Sequence, residues 1–206
     1  MAKIDYKKEL KEFYSPSTKE VSAVTAPKMN FLMVDGKGDP NTSKEFADAI
    51  ETLYPVAYTI KFAIKKSGGS DFGIMPLEGL WWSDDMDDFV LGKKDNWFWT
   101  AMIMQPECVT KEIFEAAVVA VKAKKNPVSI DKIRFESYDE GRAAQIMHIG
   151  PFADEATNIK KIHDYITNIG GKFEGKAKKH HEIYLSDMRK TAPGKLKTIV
   201  RQPFII

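Results

Sequence analysis

Apolar and polar residues alternate with two different periods along this chain of 206 residues. Between residues 43 and 66, apolar side chains recur every three or four positions, which predicts a helix with one buried stripe. Pro55 lies inside this segment and predicts a kink or a local break. Segments 110–125 and 153–171 have the same period, with Thr110 as an N-cap for the first and glycines at the end of the second, and predict two further helices.

Short apolar or alternating runs predict strands between these helices. They cover residues 29–41, where the strand ends in a glycine turn, and residues 72–82, 96–106, 130–141, 142–152, 180–187 and 194–206. Residues 1–28 are different, because they are lysine-rich at first and turn-rich afterwards. The pattern therefore predicts an N-terminal arm over residues 1–28, followed by a domain over residues 29–206.

Three short sequences recur in the same order in the two halves of the chain. FLMVDGKGDP corresponds to AQIMHIGPF, PLEGLWWSDD to HHEIYLSDM, and TAMIMQP to KTIVRQP. Each half reads strand–helix–strand–strand, with module one at about 29–106, a connecting helix at about 110–125 and module two at about 130–206. The sequence predicts an α+β fold, in which two antiparallel modules are related by a pseudo-twofold repeat and enclose a ligand cleft.

This repeat aligns two carboxylates, Glu78 and Glu182, each within an apolar strand. If the modules face each other, equivalent positions face the seam from opposite sides, so we expect both glutamates to face one cleft. A carboxyl group held among apolar rings has a raised pKa, because burial disfavours its charged form. Such a group can donate a proton or orient water. Glu78 and Glu182 are therefore the candidate catalytic residues.

Large rings accompany these glutamates and are the candidate ligand-binding groups. All four tryptophans lie between residues 81 and 99, although strand alternation prevents all four from lining one cavity. His148 is expected to lie near Glu182 across adjacent strands. The predicted ligand-binding residues are Trp81, Trp82, Trp97, Trp99, Tyr184, Tyr138, His148, Met104 and Phe152. Three interpretations remain open: salt-bridged glutamates with packed tryptophans, a pocket for a cation or a flat lipophile, or a catalytic pocket.

Composition narrows the possible partners and compartments. The formal net charge is +2, so neither nucleic acid nor an anionic membrane is an expected partner. Cys108 is the single cysteine, which excludes an internal disulfide. No run resembles a signal peptide or a membrane span, which predicts a soluble, cytoplasmic protein. The histidines lack metal-ligand spacing, so neither a metal nor a cofactor is expected, and the oligomeric state is not predicted.

Several stretches resemble the GyrI-like small-molecule-binding family. They are MNFLMVDGKGDPN, PLEGLWW, MIMQP, RFESYDEGRAAQIMHIGPFADE and HHEIYLSDMRKTAPGKLKTIVRQP, and they cover most of residues 29–204. PLEGLWW and HHEIYLSD resemble in particular a branch of the family whose members are stand-alone proteins. One residue departs from that pattern, because Met188 stands where a proline is expected before Arg189. The resemblance implies two strand–helix–strand–strand modules with a ligand cleft between them. In related multidrug-responsive regulators, a buried glutamate among rings recognises lipophilic cations, and by position that role falls to Glu182.

The resemblance also implies a function. Stand-alone members are linked to hydrolytic opening of cyclopropane-bearing DNA-alkylating toxins, which would make this chain a xenobiotic-detoxifying hydrolase of hydrophobic or aromatic small molecules. Two alternatives are a non-catalytic sensor or sequestering protein and a topoisomerase-interacting protein. The sequence shows no helix-turn-helix segment, so direct control of transcription is not expected.

Overall fold

Eight antiparallel strands form one open sheet in the computed structural model, which describes residues 3–85, 88, 92–173 and 178–206. The strands are β1 (Ser22–Ala26), β2 (Met29–Lys37), β3 (Leu77–Trp82), β4 (Phe98–Gln105), β5 (Arg134–Tyr138), β6 (Gly141–Ile149), β7 (His180–Tyr184) and β8 (Lys197–Pro203). Part of the predicted N-terminal arm, residues 22–26, thus belongs to the sheet as β1. The predicted α+β fold with antiparallel sheet pairing is confirmed.

The two halves of the chain meet at the centre of the sheet. The strand order is β1-β6-β8-β7-β3-β4-β2-β5, so β3 and β7 pair at the middle. If β1 to β4 are exchanged for β5 to β8, the order reads the same from the other end. The edge strand at each end of the sheet comes from the other half of the chain: β1 pairs with β6, and β5 pairs with β2.

Five helices surround the described part of this sheet. They are α1 (Tyr6–Glu9), α2 (Lys11–Tyr14), α3 (Lys44–Lys66), α4 (Lys111–Lys124) and α5 (Ala156–Asn168), with short 3-10 turns at Lys94–Asn96, Phe152–Asp154 and Pro193–Lys195. The Ser43 side chain caps α3 by accepting a hydrogen bond from the Phe46 amide. Helix α3 is continuous through Pro55, so the break predicted there as one possibility does not occur. None of the helices in these described ranges has the length and apolar character that crossing a bilayer requires.

The long helices α3 and α5 cover the same face of the sheet, which we call the helical face. Phe46 of α3 packs on Trp81 with ring centroids 5.5 Å apart, and Ile162 of α5 lies in a buried cluster with Val200. Strand register and alternation assign these side chains to the helical face: Trp81, Trp99, His148, Glu182, Tyr184, Thr198 and Val200.

We call the opposite side the arm face, because α2 of the N-terminal arm packs on it. Phe13 and Tyr14 of α2 are buried there, and the Tyr14 hydroxyl contacts Glu78. The arm face carries these strand side chains: Glu78, Trp82, Met104, Tyr138, Gln145, His181 and Arg201. The two faces therefore separate residues that are close together in the sequence.

Trp99 is fully buried on the helical face and depends on a glycine directly opposite it. Gly36 of β2 pairs with Trp99 of β4, and a Cβ added at residue 36 would lie 2.2 Å from the indole. Phe46 closes the other side of the indole, with ring centroids 5.0 Å apart. The indole consequently has no free space into which it can move.

We predict that Gly36→Ala lowers the free energy of unfolding by about 1–3 kcal/mol, since overpacking forces the indole and its neighbours to shift. Urea unfolding followed by tryptophan fluorescence measures this loss. Gly194→Ala is the matched control, because a Cβ added there meets no atom within 4 Å. Equal unfolding midpoints for the two variants would contradict the packing argument.

Candidate functional site

Glu182 lies at the centre of β7 on the helical face, between the strands β2 and β4 on which α3 packs and the strands β6 and β8 on which α5 packs. Gly79 of β3 and Val200 of β8 are directly opposite it. The Tyr184 hydroxyl donates a hydrogen bond of 2.7 Å to Glu182 Oε2, and His180 Nε2 lies 3.3 Å from Glu182 Oε1. The Glu182 side chain is 16% exposed, so it is screened from bulk water without being sealed from it.

A second carboxyl group, Glu155, lies beside Glu182 at the start of α5. It is buried, and burial followed by the neighbouring charge of Glu182 raises its pKa to about 9. Burial also raises the pKa of Glu182, but the nearby His180 and the hydrogen bond from Tyr184 outweigh this and bring the pKa below its ordinary value. Near neutral pH the pair therefore consists of a neutral carboxyl at Glu155 and a carboxylate at Glu182.

Three buried polar atoms at this pair make no hydrogen bond of good geometry among the described residues. They are Glu155 Oε1, Thr198 Oγ1 and His180 Nε2. Thr198 lies opposite Tyr184 on β8 and beside Glu155. Because unpaired buried polar atoms are costly, such a group indicates a place where a ligand or solvent completes the hydrogen bonding.

Aromatic rings surround the carboxyl pair. Trp81 Nε1 donates to the Tyr184 hydroxyl at 3.1 Å, and Phe152 meets the Tyr184 ring edge-on with centroids 5.6 Å apart. The Trp97 ring packs on Trp81 with centroids 6.1 Å apart. A Cβ added at Gly79 would lie 2.7 Å from Trp81 Nε1, so glycine is needed for the indole to lie across the strand. These rings suit a planar apolar ligand.

The structure brings three of the predicted ring residues, Trp81, Phe152 and Tyr184, to Glu182. Trp97 lies on the same face behind Trp81, and Trp99 lies one strand further away, packed on Phe46.

His148 is also on the helical face, but the prediction that it lies near Glu182 on an adjacent strand is wrong, since β8 separates β6 from β7. Its ring nitrogens contact the Pro151 carbonyl at 3.0 Å and Asn158 Nδ2 at 3.1 Å. His148 therefore holds the turn that precedes α5, and with it the segment that carries Glu155.

The prediction that Glu78 and Glu182 share one cleft is wrong. Glu78 pairs with Ile183, whereas Gly79 pairs with Glu182, so the two carboxylates point to opposite faces of the sheet. The sequence match that aligned them is one residue out of register with the strand pairing, and a slip of one residue reverses the face. Three predicted ligand-binding residues lie with Glu78 on the arm face: Trp82, Tyr138 and Met104.

Glu78 belongs instead to a buried group of charges that we call the His181 network, formed by Tyr14, Glu78, Glu140, Gln145, His181 and Arg201. The Tyr14 hydroxyl donates to Glu78 Oε1 at 2.8 Å, and His181 Nε2 lies 2.9 Å from Glu78 Oε2. On its other side, His181 Nδ1 lies 2.7 Å from Glu140 Oε1. Burial lowers the pKa of His181, but the two facing carboxylates outweigh it and raise the pKa to about 9.

Arg201 completes this network and connects it to the arm. It donates to Glu140 at 2.7 Å, to Gln145 at 3.0 Å and to the Phe13 carbonyl at 2.5 Å. Burial alone would raise the pKa of Glu140. His181 and Arg201 outweigh burial and lower the pKa to about 2. Two carboxylates thus balance two cations, which is the condition under which buried charge is tolerated.

Sequence reasoning missed Glu155 and His181. Glu155 lies just before a helix, where an acidic residue usually serves the helix dipole, so its position gave no sign of a buried site. His181 did carry a signal, because strand alternation places it on the opposite face from Glu182. Only the structure shows that this opposite face is buried beneath the arm.

A family model for the GyrI-like small molecule binding domain matches residues 19–203. The chain belongs to the GyrI-like family. A solved structure described as an uncharacterized conserved protein from Listeria innocua is 43% identical to this GyrI-like protein, with a TM-score of 0.92, over 98% of this chain and 100% of that chain. A second, described as a hydrolase from Listeria innocua, is 42% identical with a TM-score of 0.87, again over 98% and 100% of the two chains. No curated protein matches the chain.

A more distant likeness shows the fold alone. The EcmrR C-terminal domain is 11% identical, with a TM-score of 0.55, over 90% of this chain and 97% of that domain. The resemblance to the GyrI-like family predicted from the sequence is confirmed, and the chain carries a small-molecule-binding domain.

We predict that the His181 network makes the protein less stable in alkaline solution. The pKa of His181 is raised from 6.5 to about 9, so its stabilising contribution is complete below about pH 6.5 and is lost as the pH rises through about 9. The loss is about 3 kcal/mol at most. Urea unfolding in a series of buffers from about pH 6 to about pH 10 measures it.

Glu155→Gln is the appropriate background for this experiment, because Glu155 is another described group with a pKa near 9. Its raised pKa also makes stability fall as the pH rises, and the substitution removes that contribution. Unfolding free energy that stays constant or increases between about pH 6.5 and 9 in this background would contradict the charged state of His181.

Proposed function

We propose that this GyrI-like protein binds a planar, hydrophobic small molecule between α3 and α5 and adds water to it. The observation that carries the proposal is the adjacency of two carboxyl groups, buried Glu155 and largely buried Glu182, on the helical face. Burial and the charge of Glu182 raise the pKa of Glu155, so one carboxyl can hold a proton while its neighbour is ionised. Such a pair combines an acid and a base in one ring-lined site, which is the requirement for catalysed hydrolysis.

The surroundings of the pair support binding of an aromatic ligand. Phe152 and Tyr184 are partly exposed rings beside Glu182, and buried Trp81 packs behind them. Glu155 Oε1 lacks a hydrogen bond of good geometry, and we propose that it donates its proton to a ligand oxygen. The ligand class that fits is therefore a flat molecule with a hydrogen-bond acceptor, such as a conjugated carbonyl group.

Similarity to hydrolases supports the chemical step. Two solved structures from Listeria innocua that are 42% and 41% identical to this chain are described as hydrolases. As substrates of this chain we propose strained electrophiles in which a cyclopropane is conjugated to a carbonyl group, as in DNA-alkylating toxins. The function would then be xenobiotic detoxification, and we propose the cytoplasm as its compartment.

The proposed reaction is addition of one water molecule. Glu182 accepts a proton from water, whose oxygen forms a bond to the methylene carbon of the cyclopropane. The carbon–carbon bond of the strained ring breaks, and its electron pair passes into the conjugated carbonyl system. Glu155 donates its proton to the carbonyl oxygen. Transfer of the proton from Glu182 back to the adjacent Glu155 restores the starting state.

Mass spectrometry tests this reaction with an aromatic compound that carries a cyclopropane conjugated to a carbonyl. We predict that the wild type adds the mass of one water molecule, and that Glu155→Gln and Glu182→Gln each slow this by about 100-fold or more. Tryptophan quenching should show binding by both variants within about tenfold of wild type.

Glu136→Gln, on an exposed side chain of β5, is the matched control and should keep the wild-type rate. If the wild type binds the compound and returns it unchanged, the hydrolase proposal is wrong and a sequestering or sensing role replaces it. A pull-down of a topoisomerase that is indifferent to Glu182→Gln would support an interaction role instead.

The pH dependence of turnover provides a separate prediction. Because the proposed acid is Glu155, the rate should decline as the pH rises through about 9, where Glu155 loses its proton. The profile of kcat/KM against pH measures this in the free enzyme. A rate that keeps rising beyond that pH would exclude Glu155 as the proton donor.

A further inference from the structure

The His181 network lies directly behind the candidate site. His181 is the residue between His180 and Glu182 on β7, and its side chain leaves the strand on the opposite face. His180 and Glu182 face the helical side, while His181 is held on the arm face by Glu78 and Glu140. Within the network His181 is 1% exposed, so water cannot replace these contacts.

We propose that His181 is a positioning residue, and that the arm acts through Tyr14 and Glu78 on His181 to keep Glu182 beside Glu155. This inference deepens the proposed function and rests on the Glu155–Glu182 pair. His181 touches no reacting group, since it lies on the other side of the sheet.

The backbone of β7 couples the orientation of His181 to that of Glu182. Successive strand residues are joined by planar peptides, so a rotation of residue 181 moves the side chains of residues 180 and 182 in the opposite sense. Both ring nitrogens of His181 are held, one by β3 through Glu78 and one by the β5–β6 turn through Glu140. The ring therefore fixes the orientation of β7, which is only five residues long.

The N-terminal arm completes the His181 network. The Tyr14 hydroxyl is the donor to Glu78 Oε1, while Arg201 and Gln145 reach the backbone carbonyls of Phe13 and Glu12. Without the Tyr14 hydroxyl, Glu78 keeps a buried oxygen with no donor, and the carboxylate must move to find another. Movement of Glu78 releases one side of the His181 ring.

The pKa of Glu155 depends on the position of Glu182. The groups that face Glu155 are Glu182 from β7, Thr198 from β8 and Lys94 from the connection between β3 and β4. Those that face His181 are Glu78, Glu140 and Arg201, which lies directly opposite it on β8, with the Tyr138 ring edge-on at 6.5 Å between ring centroids. If Glu182 turns away, the repulsion that retains the proton on Glu155 decreases, and Glu155 titrates at lower pH.

The test follows the titration of Glu155 by NMR in protein labelled with carbon-13 at the glutamate carboxyl groups, with Glu155→Gln identifying the signal. We expect Tyr14→Phe to lower the titration midpoint of Glu155 by about half a pH unit or more. His181→Gln should lower it further where that variant folds, and Tyr14→Phe tests the inference where it does not.

Tyr6→Phe is the matched control, because it removes a hydroxyl from the same arm, where the Tyr6 ring packs on Phe72 away from the network. Its midpoint should equal that of the wild type, and equal midpoints in Tyr14→Phe and Tyr6→Phe overturn the inference. A wild-type Glu155 that titrates in the ordinary carboxyl range overturns the carboxyl pair and the proposed function with it. The NMR titration needs no substrate. Failure of the proposed function is seen in the wild type alone, whereas failure of this inference is seen in the comparison of Tyr14→Phe with Tyr6→Phe.

Discussion

The antiparallel pairing of β3 with β7 is the interaction on which the architecture of this protein depends. It joins the two halves of the chain into one sheet, and its register decides which side chains share a face. Gly79 opposite Glu182 leaves room for the Trp81 indole, which reaches the Tyr184 hydroxyl beside the carboxylate. A register shifted by one residue would exchange Glu182 with His181 and dismantle both the candidate site and the charge network.

The same sheet holds two buried acidic groups under opposite electrostatic conditions. On the arm face, Glu78 and Glu140 are balanced by His181 and Arg201, so all four charges are compensated and the network ties the arm to the sheet. On the helical face, Glu155 lies beside Glu182 and near Lys94, and burial together with the charge of Glu182 keeps the proton on Glu155. Paired buried charges are tolerated in a structural network, whereas a carboxyl with a strongly raised pKa beside unpaired polar atoms is typical of a functional site.

Several features were predictable from the sequence because they depend on local pattern. Helical periodicity identified the three long helices, and strand alternation showed that the four tryptophans could not share one cavity; Trp82 indeed lies on the arm face. Glu182 and Tyr184 were recognised as a carboxylate and a ring on one face of a strand. Glu155 was not, since a single acidic residue before a helix has no pattern that distinguishes a buried from a solvated side chain.

The sequence by itself determined the α+β class, the GyrI-like resemblance, and the shared face of Glu182 and Tyr184, because periodicity and short motifs are properties of neighbouring residues. Only the tertiary structure decided the partner of Glu182. Which residue of β3 lies opposite which residue of β7 is set by packing and hydrogen bonding over the whole sheet. That register places Glu78 on the arm face, where it contacts Tyr14. The packing of α5 on the helical face places Glu155, rather than Glu78, beside Glu182.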